Sequence, residues 1–570
     1  MAASAWCSNK PGRFRLVNVN SLIERTEASR RTRRLSPALT VLEAVLGAAL
    51  LLALASRCSP FYPLNTYADA NCFFTVGKSM VRGTVPYLAL YEQKGPLLYL
   101  LYGLASLISP RSFFGVYLLE VAAWAAALLA LRQIAALRYG PAAEVPVAAS
   151  LAAAGTPGEA APRAGAGALS GTRQDMPAPE GGVPGPALLF MALVLASPAF
   201  ASGGSTVEEY CIPLFLWSLY AFLRLCAAPE DPGRDRLCLW NGALAGAVVL
   251  MKFNLCGFYL GWALALLPVL FRRLPLRALA RSVGCFLLGA ALLCLPFLLY
   301  FALHHALDAF FRVYFLNNIT QYPPAAGGLG ARAALALGNL RTALRDNPCI
   351  ALPCAAGMVW ALFSRRYLPA QKAGILCLLA FLLASVFLGG QYFGYYSLPL
   401  AVFLPFALVP VCALSARAAA RRRALRYLTP LCCAAAGLAL VAALCSNVYF
   451  FGASRDRFPQ FSFAERMNRG SAAPTLLNYG FMDGGFYTAS GIVPTQRYFC
   501  TLNILPEEIR AAQDGYLRAC QVEYVVTENA PLAAEFLENY RLIARETFHS
   551  KSFSTDYYLY QRAEAPDFDM

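Results

Sequence analysis

Charge is scarce in this chain. Asp, Glu, Lys and Arg make up 14% of its 570 residues while 58% are hydrophobic, a balance that excludes a single soluble core and is expected of a protein crossing a bilayer several times. Acidic residues are the scarcer sign, and the formal net charge is +16. In a soluble protein that excess would point to nucleic acid, but here Arg and Lys gather in short clusters between apolar runs, where they set membrane orientation, so no nucleic-acid role is expected. Histidine is nearly absent, with three residues in all. The 18 cysteines fall largely inside apolar runs, as Cys285, Cys294, Cys377, Cys432 and Cys433 do, where they serve as small hydrophobes without metal-ligand spacing. Neither a metal nor another cofactor is therefore expected, nor a disulfide scaffold, although Cys500 and Cys520 could pair on an oxidising side. No cleavable signal peptide is expected, because the first 36 residues are polar and basic.

What is present is a series of apolar runs near the length that spans hydrocarbon. They lie at about Ala38 to Ser56, Phe113 to Leu131, Ala187 to Ala201, Cys211 to Cys226, Leu237 to Met251, Cys256 to Phe271, Ser282 to Phe301, Cys349 to Phe363, Ala373 to Leu388, Leu398 to Leu414 and Tyr427 to Cys445. The reading is an all-α polytopic membrane protein of about eleven transmembrane helices. Arg30, Arg31, Arg33, Arg34, Arg132, Arg138, Arg234, Arg236, Arg272, Arg273, Arg365, Arg366 and the cluster from Arg417 to Arg426 all fall on one face if the N-terminus is cytoplasmic. A further run, Leu97 to Ser109, is too short to cross and is read as juxtamembrane. Crossing there would move the later Arg clusters to the outer face.

The expected organisation is a basic cytoplasmic N-terminus over 1–37, a membrane region over 38–446 and a small extracellular α/β domain over 447–570. The first outer loop occupies 58–112. The Ala-, Gly- and Pro-rich stretch over 141–186 reads as a disordered cytoplasmic linker. In the last part, Val522 to Thr527 and Tyr557 to Gln561 read as strands and Pro506 to Arg518 as a helix.

The stretch carrying most chemistry is Tyr67-Ala68-Asp69-Ala70-Asn71, after the first apolar run, followed by a loop ending Tyr87-Leu88-Ala89-Leu90-Tyr91-Glu92-Gln93-Lys94-Gly95-Pro96. A carboxylate there, with Lys78, Arg82 and Lys94 among aromatic residues, points to a membrane-surface site for an anionic lipid-linked substrate. The bland alternative is a solvated loop. By parity Asp69, Glu208, Glu209, Gln391 and Tyr395 share the outer face, although Glu208 and Glu209 could equally cap a helix. His304 and His305 read as interfacial anchors or as neighbours of the site. Tyr392, Tyr395 and Tyr396 fit either a sugar-stacking surface or an interfacial aromatic belt. Asn318-Ile319-Thr320 matches a glycosylation sequon, which carries meaning only in a secretory host.

Asp69, the loop over Gly83 to Pro96, Gly203-Gly204-Ser205-Thr206-Val207-Glu208-Glu209-Tyr210, Lys252-Phe253-Asn254 and Gly389-Gly390-Gln391-Tyr392-Phe393-Gly394-Tyr395-Tyr396 occur in an order that resembles the GT-C superfamily of integral-membrane glycosyltransferases. The similarity is to the bacterial protein-mannosyltransferase and aminoarabinose-transferase group and covers about Ala38 to Cys445. It implies transfer of a sugar from a polyprenyl-phosphate donor to a lipid, glycan or protein acceptor on the outer face. Ala70 stands where a second acid often follows the first, which argues against a protein hydroxyl as acceptor. On this reading Asp69 is the general base, with Glu208 or Glu209 orienting acceptor or sugar. Lys78, Arg82, Lys94 and Lys252 would hold the leaving phosphate, and Asn71, Asn254, Gln391 and Tyr395 would contact sugar or acceptor. The phosphate is itself a leaving group, so a divalent metal is not implied. A transporter or flippase for a lipid-linked glycan would also use many spans and intramembrane Lys252 and Glu43, but would be expected to show internal repeats. A non-catalytic assembly protein would leave the Asp69 loop without a task.

Overall fold

In a computed structural model, the structure describes residues 37–139, 184–321, 328–422 and 425–563. The basic N-terminus and nearly all of the expected linker lie outside these residues. Gly185 and Pro186, which the linker reading included, instead open a helix.

The chain begins with a long apolar helix, α1 (Pro37–Ala55), followed by α2 (Ala68–Met80), α3 (Pro96–Ile108) and α4 (Phe114–Tyr139). Next come α5 (Gly185–Leu195), α6 (Val207–Ala227), α7 (Arg234–Lys252), α8 (Gly257–Phe271) and α9 (Leu276–Leu303). The bundle closes with α10 (Leu329–Asp346), α11 (Pro348–Phe363), α12 (Pro369–Phe387), α13 (Pro405–Arg421) and α14 (Leu425–Leu444). Six stretches are long and apolar enough to cross a membrane, or eight if each of two bent helix pairs is one span. Together they make the chain a multi-pass membrane protein. The eleven runs read from sequence exceed this because α5 and the apolar part of α14 are short and one stretch, Arg234–Phe271, joins two runs, whereas α3 agrees with the short juxtamembrane run.

That joined stretch turns back on itself. Gly242 lies against the Phe286 carbonyl and, one turn on, Gly246 against Ala290, so α7 and α9 run in the same direction and α8 must run opposite to both. The reversal falls at Lys252, whose φ of −155° and ψ of 88° break the helix. Lys252 is thereby left at one end of the bundle. The outward face of α9 is a row of leucines, Leu288, Leu292, Leu295, Leu299 and Leu303, as expected of a lipid-facing helix. The sequence reading did not assign α10, which meets α11 at 102°.

The C-terminal part forms a four-stranded sheet in the order β1-β2-β4-β3, made of β1 (Leu476–Asn478), β2 (Tyr524–Glu528), β3 (Tyr540–His549) and β4 (Ser554–Arg562). β1 pairs parallel with β2, while β2–β4 and β3–β4 are antiparallel. Helices α15 (Pro459–Gly470) and α16 (Pro506–Arg518) accompany the sheet. Leu477, Leu517, Val522, Val525, Tyr540 and Tyr560 form a core of its own.

Candidate active site

Asp69 sits in the first turn of α2, where the helix dipole favours a negative charge. Its Oδ2 accepts hydrogen bonds from the Tyr67 hydroxyl at 2.9 Å and the Tyr395 hydroxyl at 3.1 Å. The two rings meet edge to face with centroids 5.8 Å apart. Burial, with Asp69 and Glu208 close by, holds the Tyr67 phenol far above its usual range, so it remains a donor.

Glu208 lies in the first turn of α6 and Lys252 at the last residue of α7, each at the helix end whose dipole suits its charge. The two form an ion pair in which both side chains are largely buried. The Lys252 ammonium stands 3.8 Å from the centre of the Tyr396 ring and 6.0 Å from that of Tyr395. Asp69 and Lys94 also lie close enough to act on it electrostatically. A shallow pocket is lined by Glu208, Lys252, Asn254, Leu255, Val386 and Tyr396.

Lys94 reaches this cluster on a strap that is unusually well fixed. Buried Glu92 accepts the Lys94 amide at 2.8 Å and pairs with the Tyr99 hydroxyl. The Tyr87 hydroxyl donates to the Lys94 carbonyl at 2.6 Å. Tyr87 is fully buried with φ +67°, a left-handed conformation that a bulky residue adopts only where its surroundings fix it. The Gly95 amide donates to the Met251 carbonyl at 3.1 Å. The strap and the end of α7 are thus joined at the residues next to Lys94 and Lys252. The Lys94 ammonium lies 5.6 Å from the centre of the Phe73 ring.

Among the expected site residues, Asp69, Glu208, Lys94, Lys252 and Tyr395 are brought together. Asn254 is exposed at the pocket rim, its amide donating to the Ser385 carbonyl at 3.3 Å, and Gln391 is half-buried in the segment before Tyr395. Four expected residues lie apart from this cluster. Glu209 is buried away from the pocket and accepts from Trp124 Nε1 at 2.7 Å and from the Ser205 amide at 2.6 Å; with Thr206 it closes the start of α6, the capping alternative. Asn71 is wholly engaged, its amide donating to the Asn65 and Tyr67 carbonyls and its oxygen accepting from Thr488. Lys78 is fully buried and donates to the Tyr487 carbonyl at 2.8 Å. Arg82 is exposed beyond the end of α2.

His304 and His305 are exposed at the end of α9. The Asn318 amide donates to the Gln93 and Tyr314 carbonyls, both at 2.8 Å. Among the described residues, no three His, Cys, Asp or Glu side chains are grouped to hold a metal ion. Sequence reasoning missed Tyr67 and Glu92, although both stand in the stretches it singled out. An aromatic hydroxyl two residues before an acid, and an acid two before a lysine, were the available signals.

This helical arrangement, with a reversed helix pair, a structured first loop and an appended α/β domain, is a fold shared with solved structures. The comparisons that establish the fold are structural. No protein-family model matches the chain, and no curated protein matches its sequence. ArnT from Cupriavidus metallidurans, solved bound to undecaprenyl phosphate, superposes with a TM-score of 0.54 at 13% identity, covering 90% of this chain and 97% of that one. The same protein in its apo state gives 0.53 at 13% identity, with the same coverage.

Proposed function

We propose that the protein transfers a sugar from a polyprenyl-phosphate donor to an acceptor hydroxyl on a lipid or glycan at the outer face of the membrane. The observation that carries this reading is the convergence of one phenol-braced carboxylate, Asp69, with two lysines, Lys94 and Lys252, in a fold shared with a protein that binds undecaprenyl phosphate.

The chemistry asks for both halves of that cluster. A sugar hydroxyl is a poor nucleophile, and a base positioned to take its proton contributes roughly 10²- to 10⁴-fold. Both phenols bind Oδ2 of Asp69, which leaves Oδ1 for the acceptor proton. As the acceptor oxygen bonds to the anomeric carbon, the bond from that carbon to the phosphate oxygen breaks and negative charge grows on the polyprenyl phosphate. Lys94 and Lys252 meet that charge as point cations. Attack opposite the leaving group inverts the anomeric centre. Glu208 and the Tyr396 ring hold the Lys252 ammonium at the pocket. The shallow opening, with Leu255 and Val386 beside the charged pair, suits entry of the lipid donor from the side.

The test is transfer by detergent-purified protein from a panel of radiolabelled polyprenyl-phosphate sugars, with membrane-lipid and cell-envelope glycan extracts as acceptors. Labelled product together with stoichiometric free polyprenyl phosphate supports the reading. Saturable donor binding without turnover on any acceptor would move it to a carrier of lipid-linked glycans.

A further inference from the structure

One face of α2 is stitched to the C-terminal domain. Asn71 accepts from the Thr488 hydroxyl at 2.8 Å, the Thr75 hydroxyl donates to Asp483 at 2.7 Å, and the Lys78 ammonium donates to the Tyr487 carbonyl at 2.8 Å. The spacing of four and then three residues places all three on one side of the helix. Cys72 lies within this seam. Its sulfur stands 3.8 Å from that of Cys500, and both side chains are buried. Cys500 is itself held from both sides, by the Asn478 amide on the Phe499 carbonyl at 3.1 Å and the Thr501 amide on the Phe481 carbonyl at 2.8 Å. The partner expected from sequence, Cys520, is not the one in contact. From 3.8 Å, each sulfur has only about 0.9 Å to travel to reach a disulfide bond length near 2 Å. α2 is not among the stretches suited to crossing the membrane.

We propose that Cys72 and Cys500 are the two halves of a structural disulfide that staples α2 to the C-terminal domain. The bond forms by exchange with an external disulfide, either that of a thiol–disulfide oxidoreductase or a small-molecule disulfide such as oxidised glutathione. One protein thiolate attacks a reagent sulfur and expels a thiolate. The second protein thiolate then attacks the mixed disulfide, so the protein loses two protons and two electrons and the reagent leaves as two thiols. In the docked state the contact with Cys500 and burial raise the Cys72 thiol, and burial raises that of Cys500, which makes the thiolate scarce there. Exchange therefore belongs to the stage before the domain closes on α2. The cross-link joins residues 428 positions apart, and α2 begins at the carboxylate of the site. Oxidation would thus fix the domain over the helix that carries Asp69. The proposal does not depend on the sugar-transfer reading.

The test uses the full chain in its native membrane. Cells are quenched in acid, free thiols are alkylated with iodoacetamide in denaturant without reductant, and the chain is digested and mapped by mass spectrometry. The expected result is one cross-linked species joining the Cys72 and Cys500 peptides, lighter than the two thiol peptides by two hydrogen atoms and separating on reduction. Alkylation of both cysteines before reduction overturns the proposal, and so does a Cys500–Cys520 cross-link. As a second reading, thiol reductant lowers the unfolding midpoint of the wild type and leaves that of Cys500→Ala unchanged; an equal response in both contradicts the staple.

Discussion

Replacing Gly95 with alanine tests whether the strap sets the distance between the two lysines. A Cβ at this position would stand 2.0 Å from the Leu250 carbonyl oxygen and 2.8 Å from the Met251 nitrogen. Both are backbone atoms of α7 and cannot swing aside. Gly95 itself has φ −79° and ψ 151°, which alanine adopts freely, so the contact alone is at issue. Clearing it to 3.0 Å displaces the strap by at least about 1 Å, and the amide bond from Gly95 to Met251 is the first to give. A shift of that size breaks one charge-assisted hydrogen bond from Lys94 to a phosphate oxygen, a loss of about 1.5 to 3 kcal/mol, or roughly 10- to 150-fold in donor affinity. The assay is the donor KM in transfer of labelled sugar, with Gly515→Ala, where nothing lies within 4 Å of the added carbon, as control. Gly95→Ala with an unchanged donor KM refutes the argument that this contact holds Lys94 beside Lys252.

Other perturbations separate the remaining parts. Tyr67→Phe and Tyr395→Phe each remove one donor to Asp69, and each is expected to lower kcat by about one to two orders of magnitude, from the loss of about 1.5–3 kcal/mol per hydrogen bond to a charged group, with unfolding midpoints near wild type. Lys252→Met strands a buried Glu208 carboxylate and is expected to destabilise by about 3–5 kcal/mol; adding Glu208→Gln should recover much of that in thermal unfolding while leaving transfer lost. Burial pushes Lys78 down to about 7 against the opposing pull of Asp483, so above that pH the unfolded chain binds the extra proton. Wild-type stability should therefore rise relative to Lys78→Met between about pH 7 and the unfolded lysine value near 10.4, by at most about 1.4 kcal/mol per pH unit. Denaturant unfolding across that window reads the difference, and a flat difference contradicts the assignment.

The membrane class and the C-terminal α/β pattern were legible because both rest on periodicity and composition. The helix read as Pro506 to Arg518 matches the observed bounds, and the two predicted strands correspond to β2 and β4. β1, only three residues long, carries too little pattern to be read alone. β3 places charged and apolar residues without clean alternation and has a register shift between Leu542 and Ala544. The site divided along similar lines. Residue type and order marked Asp69, Glu208 and the lysines, but which lysine faces the pocket depends on which side of α2 meets the C-terminal domain. Lys78 and Asn71 lie on that buried seam, and their partners are some 400 residues away in sequence. The same distance hid Cys72 as the neighbour of Cys500.

The central claim is that the Asp69 carboxylate takes the proton from the acceptor, and the direct measurement is single-turnover sugar transfer by Asp69→Asn beside wild type, both purified, with donor binding measured on the same samples. The account predicts donor affinity near wild type with transfer slowed by roughly 10²- to 10⁴-fold. Transfer at the wild-type rate by a folded Asp69→Asn protein would contradict it.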